Sequence, residues 1–280
     1  MPEGDSLHRL AARLAPVLEG REVVDFSARR FTNDAARSLV RRRVTSVAAK
    51  GKNLLIRFDD ARVLHIHLGM EGRVLVERPR STFWAMDRER WEPDMRLAVR
   101  GATIVGRRLP MLRLLTESQE KRAPDLAELG PDLVREGWDE NEAVRRLRAL
   151  TDRAIADALL VQRAAAGIGN VYKSEVCFLE GVDPRTMLSE LHDDELRRLL
   201  RRASALLRSN LGSGPRVTRP SLRGPRLWVY GRGGRPCLRC KTPIVRLMQG
   251  PAPFSASARS TYFCPTCQPP HAARRDEARP

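Results

Sequence analysis

Hydrophobic residues near the amino terminus recur at the spacing of one helical face. Leu7, Leu10, Leu14 and Leu18 are separated by three or four positions, so an α-helix would align them in one apolar stripe. Pro16 lies within this pattern, and we expect it to kink the helix or end it early because proline lacks the N–H that a helix needs.

Beyond Val23 the pattern changes to short apolar runs separated by glycine and aspartate. Each run has the length and composition of an ordinary β-strand. Several short strands in succession favour an antiparallel sandwich or barrel. The clearest runs cover residues 53–58, 62–68, 73–77, 96–100 and 102–106.

A linker-like stretch with proline and glycine separates these strands from a helical second half. We expect a strand-rich domain over residues 1–122, the linker at 123–136 and a helical domain at 137–213. A third, cysteine-containing domain covers residues 226–268, and the polar tail 269–280 is expected to fray. Helices are predicted at residues 141–149, 152–162, 171–179 and 193–211.

The composition indicates a polyanionic partner. The chain has 51 Lys and Arg against 34 Asp and Glu, a formal charge of +17, and 42% hydrophobic residues, which excludes a wholly disordered basic chain. Binding to nucleic acid would release condensed counterions, although membranes and acidic proteins also attract basic surfaces. No apolar run approaches the ~20 residues of a membrane span, and the acidic start is unlike a signal peptide. We therefore expect a soluble intracellular protein.

The cysteines give the strongest local signal. Cys237 and Cys240 form one C-x-x-C pair, and Cys264 and Cys267 form another after 23 intervening residues. Two such pairs predict one tetrahedral Zn²⁺ site with a structural role, because four thiolates leave no open coordination position. Disulfides are the alternative, but an intracellular chain keeps its thiols reduced. Cys177 lies in a helical apolar pattern and is interpreted as a buried small hydrophobe.

Two further segments are candidates for phosphate contacts. Gly167 and Gly169 allow a sharp turn before Asn170, where the free N–H groups of a helix start would favour an anion. The alternative is a plain helix–turn–helix corner, with Lys173 as a solvated surface residue. Between the cysteine pairs, two strands joined by a loop are predicted, and Arg259 just ahead of the returning strand could offer a planar fork of donors.

The amino terminus offers a nucleophile. Removal of Met1 would leave Pro2 as a free secondary amine, and an α-amino group with a pKa near ~8 is partly neutral at cellular pH. Such an amine can form a Schiff base with a sugar carbon, with Glu3 moving protons beside it. The alternative is a helix that simply begins with proline in its first turn and an acid favouring its dipole.

Two strand-end motifs complete the candidates. Lys50-Gly51-Lys52 opens one predicted strand, so Lys52 could point from the sheet end into a cleft, or the motif could be an ordinary basic turn. His65 and His67 share one face of the next strand. No third metal ligand is evident, and we interpret them as polar positions near a DNA-facing surface.

Five motifs together resemble the formamidopyrimidine-DNA glycosylase/endonuclease VIII family. The family fold is multidomain α+β, with an N-terminal β-sandwich flanked by helices, a helix–two-turn–helix domain and a C-terminal four-cysteine zinc finger, and DNA lies in the cleft between. The motifs span residues 1 to 268 and read MPEGD (1–5), KGKNLL (50–55), HLGMEG (67–72), QRAAAGIGNVYKSEVCF (162–178) and ARSTYFCPTCQ (258–268).

The resemblance implies roles for individual residues. Pro2 matches the nucleophile that attacks C1′, Glu3 the acid/base at the sugar, and Lys52 a lysine that contacts phosphate and assists base loss. Asn170 and Arg259 match the pair that holds the phosphates flanking a flipped nucleotide, which must leave the stack to be reached. Met70 matches a position whose side chain fills the gap left in the duplex. Apart from the resemblance, Lys173 lies one turn into the predicted helix and could add positive charge near the phosphates.

The implied activity is that of a bifunctional DNA glycosylase and AP lyase of base excision repair, which acts as a monomer on damaged double-stranded DNA and carries one structural zinc ion. The implied location is the cytoplasm of a bacterial-type cell, in association with the nucleoid. The short segment 212–226, the opening MPEGDS and the run PDMRL at 93–97 look like endonuclease VIII-type members, so oxidised pyrimidines are favoured. Met70 is also common in the purine-directed branch, which leaves oxidised purines as the alternative substrates. A zinc-ribbon DNA-binding protein without activity is a further alternative.

Overall fold

A computed structural model of the chain describes residues 2–78, 92–221, 223–250 and 258–271. The chain forms two compact units, Met1–Glu128 and Leu129–Pro280. No helix in the described part of the chain is long and apolar enough to cross a membrane.

Three expectations fall on residues that the structure does not describe. Removal of Met1 concerns the first residue, and fraying of the tail concerns mainly residues 272–280. The middle of the predicted loop between the cysteine pairs, residues 251–257, also lies outside the described residues.

The first unit begins with the predicted amphipathic helix, α1, Gly4–Leu18. Leu7, Leu14 and Leu18 are buried almost completely along its inner face. The helix continues through Pro16 and ends two residues later. The proline therefore falls in the last turn, where it removes only the hydrogen bond that an N–H at this position would donate to the Ala12 carbonyl.

Two antiparallel four-stranded sheets follow, and all five predicted strands are present in them. The sheet orders are β1-β6-β7-β5 and β2-β3-β4-β8. The elements are β1 Val23–Ala28, α2 Asn33–Arg37, β2 Val44–Lys50, β3 Asn53–Phe58, β4 Arg62–His67, β5 Arg73–Glu77, β6 Met95–Val99, β7 Ala102–Arg107 and β8 Met111–Thr116.

One hydrophobic core fills the space between these sheets. Leu97 and Ile104 from one sheet, Ile56 and Leu64 from the other, and Leu14 of α1 belong to the same buried cluster. A core shared by two separate sheets defines a sandwich rather than a barrel.

Two short helices end the first unit, α3 Glu117–Arg122 and α4 Pro124–Ala127. Thr116 and Gln119 form a capping box at the start of α3, in which each side chain binds the other residue's backbone N–H. The predicted linker therefore starts as a helix, and it is fastened to the sandwich because Lys50 Nζ donates to the Leu126 carbonyl at 2.7 Å.

The second unit is helical and ends in a two-stranded hairpin. Arg197 and Arg201 of its longest helix pair with Glu140, while the opposite face packs Leu199, Leu200 and other apolar residues into one core. Its elements are α5 Glu140–Arg148, α6 Ile155–Ala158, α7 Asn170–Leu179, α8 Asp193–Ser209, β9 Val245–Gln249 and β10 Arg259–Phe263.

The predicted helix at 152–162 is wrong in extent, since only α6, a single turn, is helical. The N–H groups of Ile155 and Ala156 donate to the Thr186 and Pro184 carbonyls instead of to preceding turns. A pairing with a segment thirty residues away therefore replaces the first helical turn, and this distant partner could not be seen in a local pattern.

One of the two histidines of β4, His65, differs from the expectation of a polar position near a DNA-facing surface. His65 is fully buried, with Nε2 at 2.8 Å from Asn53 Oδ1 and Nδ1 at 3.2 Å from Arg113 Nη2. Burial lowers the pKa of His65 to about 4, with Asp125 opposing and Arg113 and His67 adding to the effect. His65 is therefore a neutral core residue.

This buried imidazole predicts a specific acid sensitivity. Between the unfolded-chain pKa of 6.5 and the folded value of about 4, only the unfolded chain binds the proton, so stability falls as pH is lowered through this window. The slope from this group approaches about 1.4 kcal/mol per pH unit. Urea unfolding of wild type and His65→Gln between pH 7.5 and 4.5 should show a stability gap that narrows toward acid. Parallel pH profiles for the two proteins would contradict it.

Candidate functional site

Pro2 lies outside the first helix. Helix α1 starts at Gly4 with Glu3 as its N-cap in extended conformation, and the Glu3 carbonyl accepts the N–H groups of Ser6 and Leu7 at 2.9 and 3.2 Å. The alternative of a proline in the first helical turn is therefore wrong. Glu3 is fully buried, yet its carboxylate does not cap the helix, so its position is unexplained by helix formation.

An open cavity of about 520 Å³ adjoins the proline. Met70 lies at its edge with 63% of its surface exposed, which is unusual for a large apolar side chain and marks a contact surface. The structure thus brings together two residues predicted on separate motifs. The cavity is lined by Pro2, Ser6, Met70, Glu71, Gly72, Arg73 and Arg108.

The turn that presents Met70 depends on its glycines. Gly69 has φ +58°, and a Cβ there would come within 2.7 Å of Pro110 Cγ, while one on Gly72 would meet the Leu68 carbonyl at 2.3 Å. The Gly69 N–H donates to His67 Nδ1 at 3.1 Å. These contacts fix the loop, so the exposed methionine stands on a rigid base.

The two lysines around Gly51 have different surroundings. Lys50 is the lysine already used to fasten α4. Lys52 occupies the tight turn between β2 and β3, where Lys50 pairs with Asn53. Burial, followed by the positive charge of Lys52, lowers the pKa of His67. Lys52 therefore lies near the histidine that supports the Met70 turn.

Sequence reasoning missed two charged residues of the cavity. Arg108 has φ +52°, rare for a residue with a side chain, and its Nη1 lies 3.1 Å from Glu71 Oε2. The pair joins the turn after β4 to the turn after β7. A single arginine gave no signal in so arginine-rich a chain, and its left-handed backbone is visible only in the structure.

In the second unit, Asn170 and Arg259 are brought close together. Asn170 is the first residue of α7, and its Nδ2 donates to Ser260 Oγ at 3.3 Å, while Arg259 directly precedes that serine as the first residue of β10. Among the described residues, Asn170 Oδ1 is buried without a hydrogen-bond partner. The positive φ of Gly167, +111°, forms the corner before α7.

Lys173 lies one turn into α7 and is fully buried. It is therefore not the solvated surface residue of the alternative interpretation. Burial raises the pKa of Asp157, and the charge of Lys173 opposes this shift, so the two groups are electrostatically coupled. Lys173 belongs to the first turn of α7, where the helix dipole is positive.

The four cysteines converge as predicted. Their Sγ atoms all lie within 4.8 Å of one another, with separations of 3.9 Å for Cys237–Cys267, 3.3 Å for Cys240–Cys264 and 3.6 Å for Cys240–Cys267. A tetrahedral Zn²⁺ with Zn–S bonds of ~2.3 Å requires sulfur separations of about 3.8 Å. The residues therefore fit zinc.

The thiol environments also suit a metal. Hydrogen bonds from Thr242 lower the pKa of Cys240 to about 6, whereas burial and the neighbouring thiols raise the pKa of Cys267. Four thiolates repel one another until a dication compensates them. Cys177 differs because burial raises the pKa of its thiol to about 12, which makes it inert.

Comparison with known proteins identifies the class. Residues 1–108 match the formamidopyrimidine-DNA glycosylase N-terminal domain, and residues 129–219 match the formamidopyrimidine-DNA glycosylase H2TH domain. The chain therefore belongs to the formamidopyrimidine-DNA glycosylase family.

Particular relatives extend over nearly the whole chain. "Probable endonuclease 8 2" of Streptomyces coelicolor is 42% identical, covering 96% of this chain and 94% of that protein. "DNA-(apurinic or apyrimidinic site) lyase Nei2" of Mycolicibacterium smegmatis is 36% identical, with 96% and 99% coverage. A formamidopyrimidine-DNA glycosylase of Lactococcus lactis, solved with DNA that contains an AP site, aligns with a TM-score of 0.78 at 21% identity, over 96% of this chain and 100% of that one. The predicted family and multidomain α+β fold are confirmed.

The cluster of four cysteines leads to a prediction about the zinc content of the protein. Purified protein should contain about one zinc ion per chain, and Cys264→Ser should lose it because three thiolates and a hydroxyl bind far more weakly. Atomic emission measures the metal. Cys177→Ser is the matched control and should keep the ion, whereas stoichiometric zinc in Cys264→Ser would contradict the site.

Proposed function

We propose that this protein is a bifunctional DNA glycosylase and AP lyase of base excision repair that uses Pro2 as its nucleophile. The observation that carries the proposal is the position of Pro2, ahead of the helix and on an open cavity beside the exposed Met70. Buried Glu3 adjoins it in sequence. A non-enzymatic zinc-ribbon protein would leave this arrangement without a purpose.

The chemistry follows from a free secondary amine. With Met1 removed, the Pro2 nitrogen attacks C1′ of the damaged nucleotide, the bond from C1′ to the base breaks, and the base leaves with a proton. Glu3 supplies a proton to the sugar ring oxygen, which opens to give an iminium on Pro2. The iminium makes the proton on C2′ acidic. Loss of this C2′ proton expels the 3′ phosphate by β-elimination, and δ-elimination then releases the 5′ phosphate.

Four residues are proposed to contact DNA. Lys52 contacts phosphate near the lesion and assists base loss, while Asn170 and Arg259 take the phosphates beside the flipped nucleotide. Met70 fills the gap that the extruded base leaves, a role suited to an exposed apolar side chain on a rigid turn. Lys173 contributes positive charge from beneath α7 rather than an exposed contact.

The zinc ion has a supporting part in this proposal. Cys237, Cys240, Cys264 and Cys267 would hold it, and with four thiolate ligands it would stabilise the fold of the finger rather than take part in the reaction. The cysteine pairs flank β9 and β10, so the metal would fix the hairpin that carries Arg259.

Reductive trapping tests the nucleophile. Sodium borohydride should link wild-type protein covalently to a duplex with an abasic site, and the adduct should disappear in Pro2→Gly, whose flexible primary amine lacks the ring that directs it to the cavity. Denaturing gel electrophoresis measures the adduct. Glu3→Gln keeps the amine and should still be trapped on a preformed abasic site, while base removal slows by about 10²–10⁴-fold. An undiminished adduct in Pro2→Gly would move the nucleophile elsewhere.

Oxidised pyrimidines are the substrates that we favour over oxidised purines. The segment after α8 is short and fastened to α7: the Arg216 guanidinium lies 4.8 Å from the Tyr172 ring centroid, and the Thr218 hydroxyl donates to Glu175. Asn210 also exchanges hydrogen bonds with Val217. A segment tied down in this way is poorly suited to close over a large purine lesion.

A lesion panel tests this preference. Duplexes with thymine glycol, 5-hydroxycytosine or dihydrouracil should be processed with a kcat/KM at least about tenfold above that for 8-oxoguanine, a difference of ~1.4 kcal/mol in barrier. Single-turnover cleavage measures each lesion under one set of conditions. The reverse order would assign the protein to the purine-directed class without disturbing the Schiff-base mechanism.

The proposed setting follows from the substrate. The relatives compared above are bacterial, and we place the protein on the nucleoid in the cytoplasm, where damaged double-stranded DNA is found. It acts there as a monomer, since each chain carries all of the proposed residues.

A further inference from the structure

A buried carboxylate in the middle of α7 holds the segment that leads into the zinc finger. Glu175 is fully buried. Its Oε2 accepts the Trp228 N–H at 2.8 Å and the hydroxyl of Thr218, and its Oε1 accepts the N–H groups of Val229 and Tyr230 at 2.9 and 2.8 Å. Three consecutive backbone N–H groups, at residues 228–230, and the Thr218 hydroxyl thus surround the Glu175 carboxylate. We call this arrangement the Glu175 cradle.

This arrangement requires a carboxylate. Every group that faces either oxygen of Glu175 is a donor, so an amide would place its NH₂ against Trp228 and Thr218 in one orientation, or against Val229 and Tyr230 in the other. Only a group with two acceptor oxygens satisfies both sides. The cradle is therefore selective for the charged side chain at this position.

Further contacts carry this anchoring to the metal site. The buried Arg232 donates to the carbonyls of Trp228 and Pro236, next to the first zinc ligand. Arg239, between the first two cysteines, lies 4.5 Å from the Phe178 ring centroid and 5.0 Å from that of Trp228. The turn that carries Cys237 and Cys240 is thus stacked on the last turns of α7.

The first turns of the same helix contact the strand after Arg259. Asn170 Nδ2 donates to Ser260 Oγ at 3.3 Å. One turn later, Ser174 Oγ accepts the Tyr262 N–H at 3.4 Å. Helix α7 therefore touches the finger at its start through β10 and at its middle through the Glu175 cradle, and these two attachments fix the orientation of the hairpin.

We propose that Glu175 is a positioning residue for DNA binding, which holds Asn170 and Arg259 at a fixed separation so that both reach phosphates of one strand. This inference rests on the proposed function, because that function assigns phosphate contacts to the two residues. Glu175 itself is buried and touches no DNA. Its effect is on the number of phosphates engaged and on affinity, while the chemistry at Pro2 is left intact.

The test is binding of a duplex that contains a tetrahydrofuran abasic analogue, measured by fluorescence anisotropy at several salt concentrations. Glu175→Gln should raise Kd on the order of tenfold and make the slope of log K against log salt shallower by about one, the loss of one phosphate contact. The single-turnover rate on saturating abasic-site duplex should change by less than about threefold, since a positioning loss of this kind appears in binding rather than in the bound complex.

Glu180→Gln is the matched control, because it removes the same charge at the end of α7, where Glu180 pairs with Arg198 and Arg202 away from the cradle. It should bind as wild type. In an Asn170→Ala background, Glu175→Gln should add little further loss, since both changes remove one contact. Additive losses, or an unchanged salt slope with fewer binding-competent molecules, would overturn the proposal and leave a merely structural role.

Thr218→Val covers the case in which Glu175→Gln does not fold. It removes only the hydroxyl donor and should shift Kd and salt slope in the same direction by a smaller amount; no shift in a folded, zinc-containing Thr218→Val protein would count against the cradle. Failure of the proposed function has a different signature, since wild type would then give no borohydride adduct while the binding comparison remained measurable.

Discussion

Helix α7 buries polar and charged side chains on almost every face, and the second unit is organised around satisfying them. Nine of its ten residues are buried, among them Asn170, Lys173, Ser174 and Glu175. A buried charge without partners costs several kcal/mol, whereas each hydrogen bond to a charged group contributes about 1.5–3 kcal/mol. The loop at 228–230 supplies such bonds, so the path of the chain into the finger is dictated by one carboxylate.

In the first unit, backbone geometry rather than buried charge positions the candidate residues Pro2 and Met70. The proposed chemistry of this unit depends on a terminal amine and a turn, neither of which is held by a regular element. The sandwich provides the fixed points: α1 anchors the residue after Pro2, and the glycines beside Met70 allow a loop too tight for any side chain. A rigid scaffold thus presents the half-buried Pro2 and the exposed Met70 on one cavity, as binding loops on β-sandwiches generally do.

Much of this was accessible from the sequence where the signal is local. Alternating apolar runs identified strands, and two C-x-x-C pairs identified the cluster of four cysteines, because spacing alone determines which side chains can converge. The extent of α6 and the burial of His65 depend on contacts with segments distant in sequence. The Glu175 cradle could not be predicted from the sequence for the same reason, since the partners of Glu175 lie more than forty residues away and are mostly backbone groups.

The net charge acquires a distribution that the composition could not reveal. Along α8, Arg197 and Arg201 share Glu140, and Arg202 pairs with Glu180, so much of the basic character of that helix is locally neutralised and has little reach beyond a Debye length of ~8–10 Å. The excess of +17 must therefore act from other surfaces. Specific recognition then depends less on the number of arginines than on where a few are held, and the buried acid at position 175 matters more to DNA binding than most of the exposed bases.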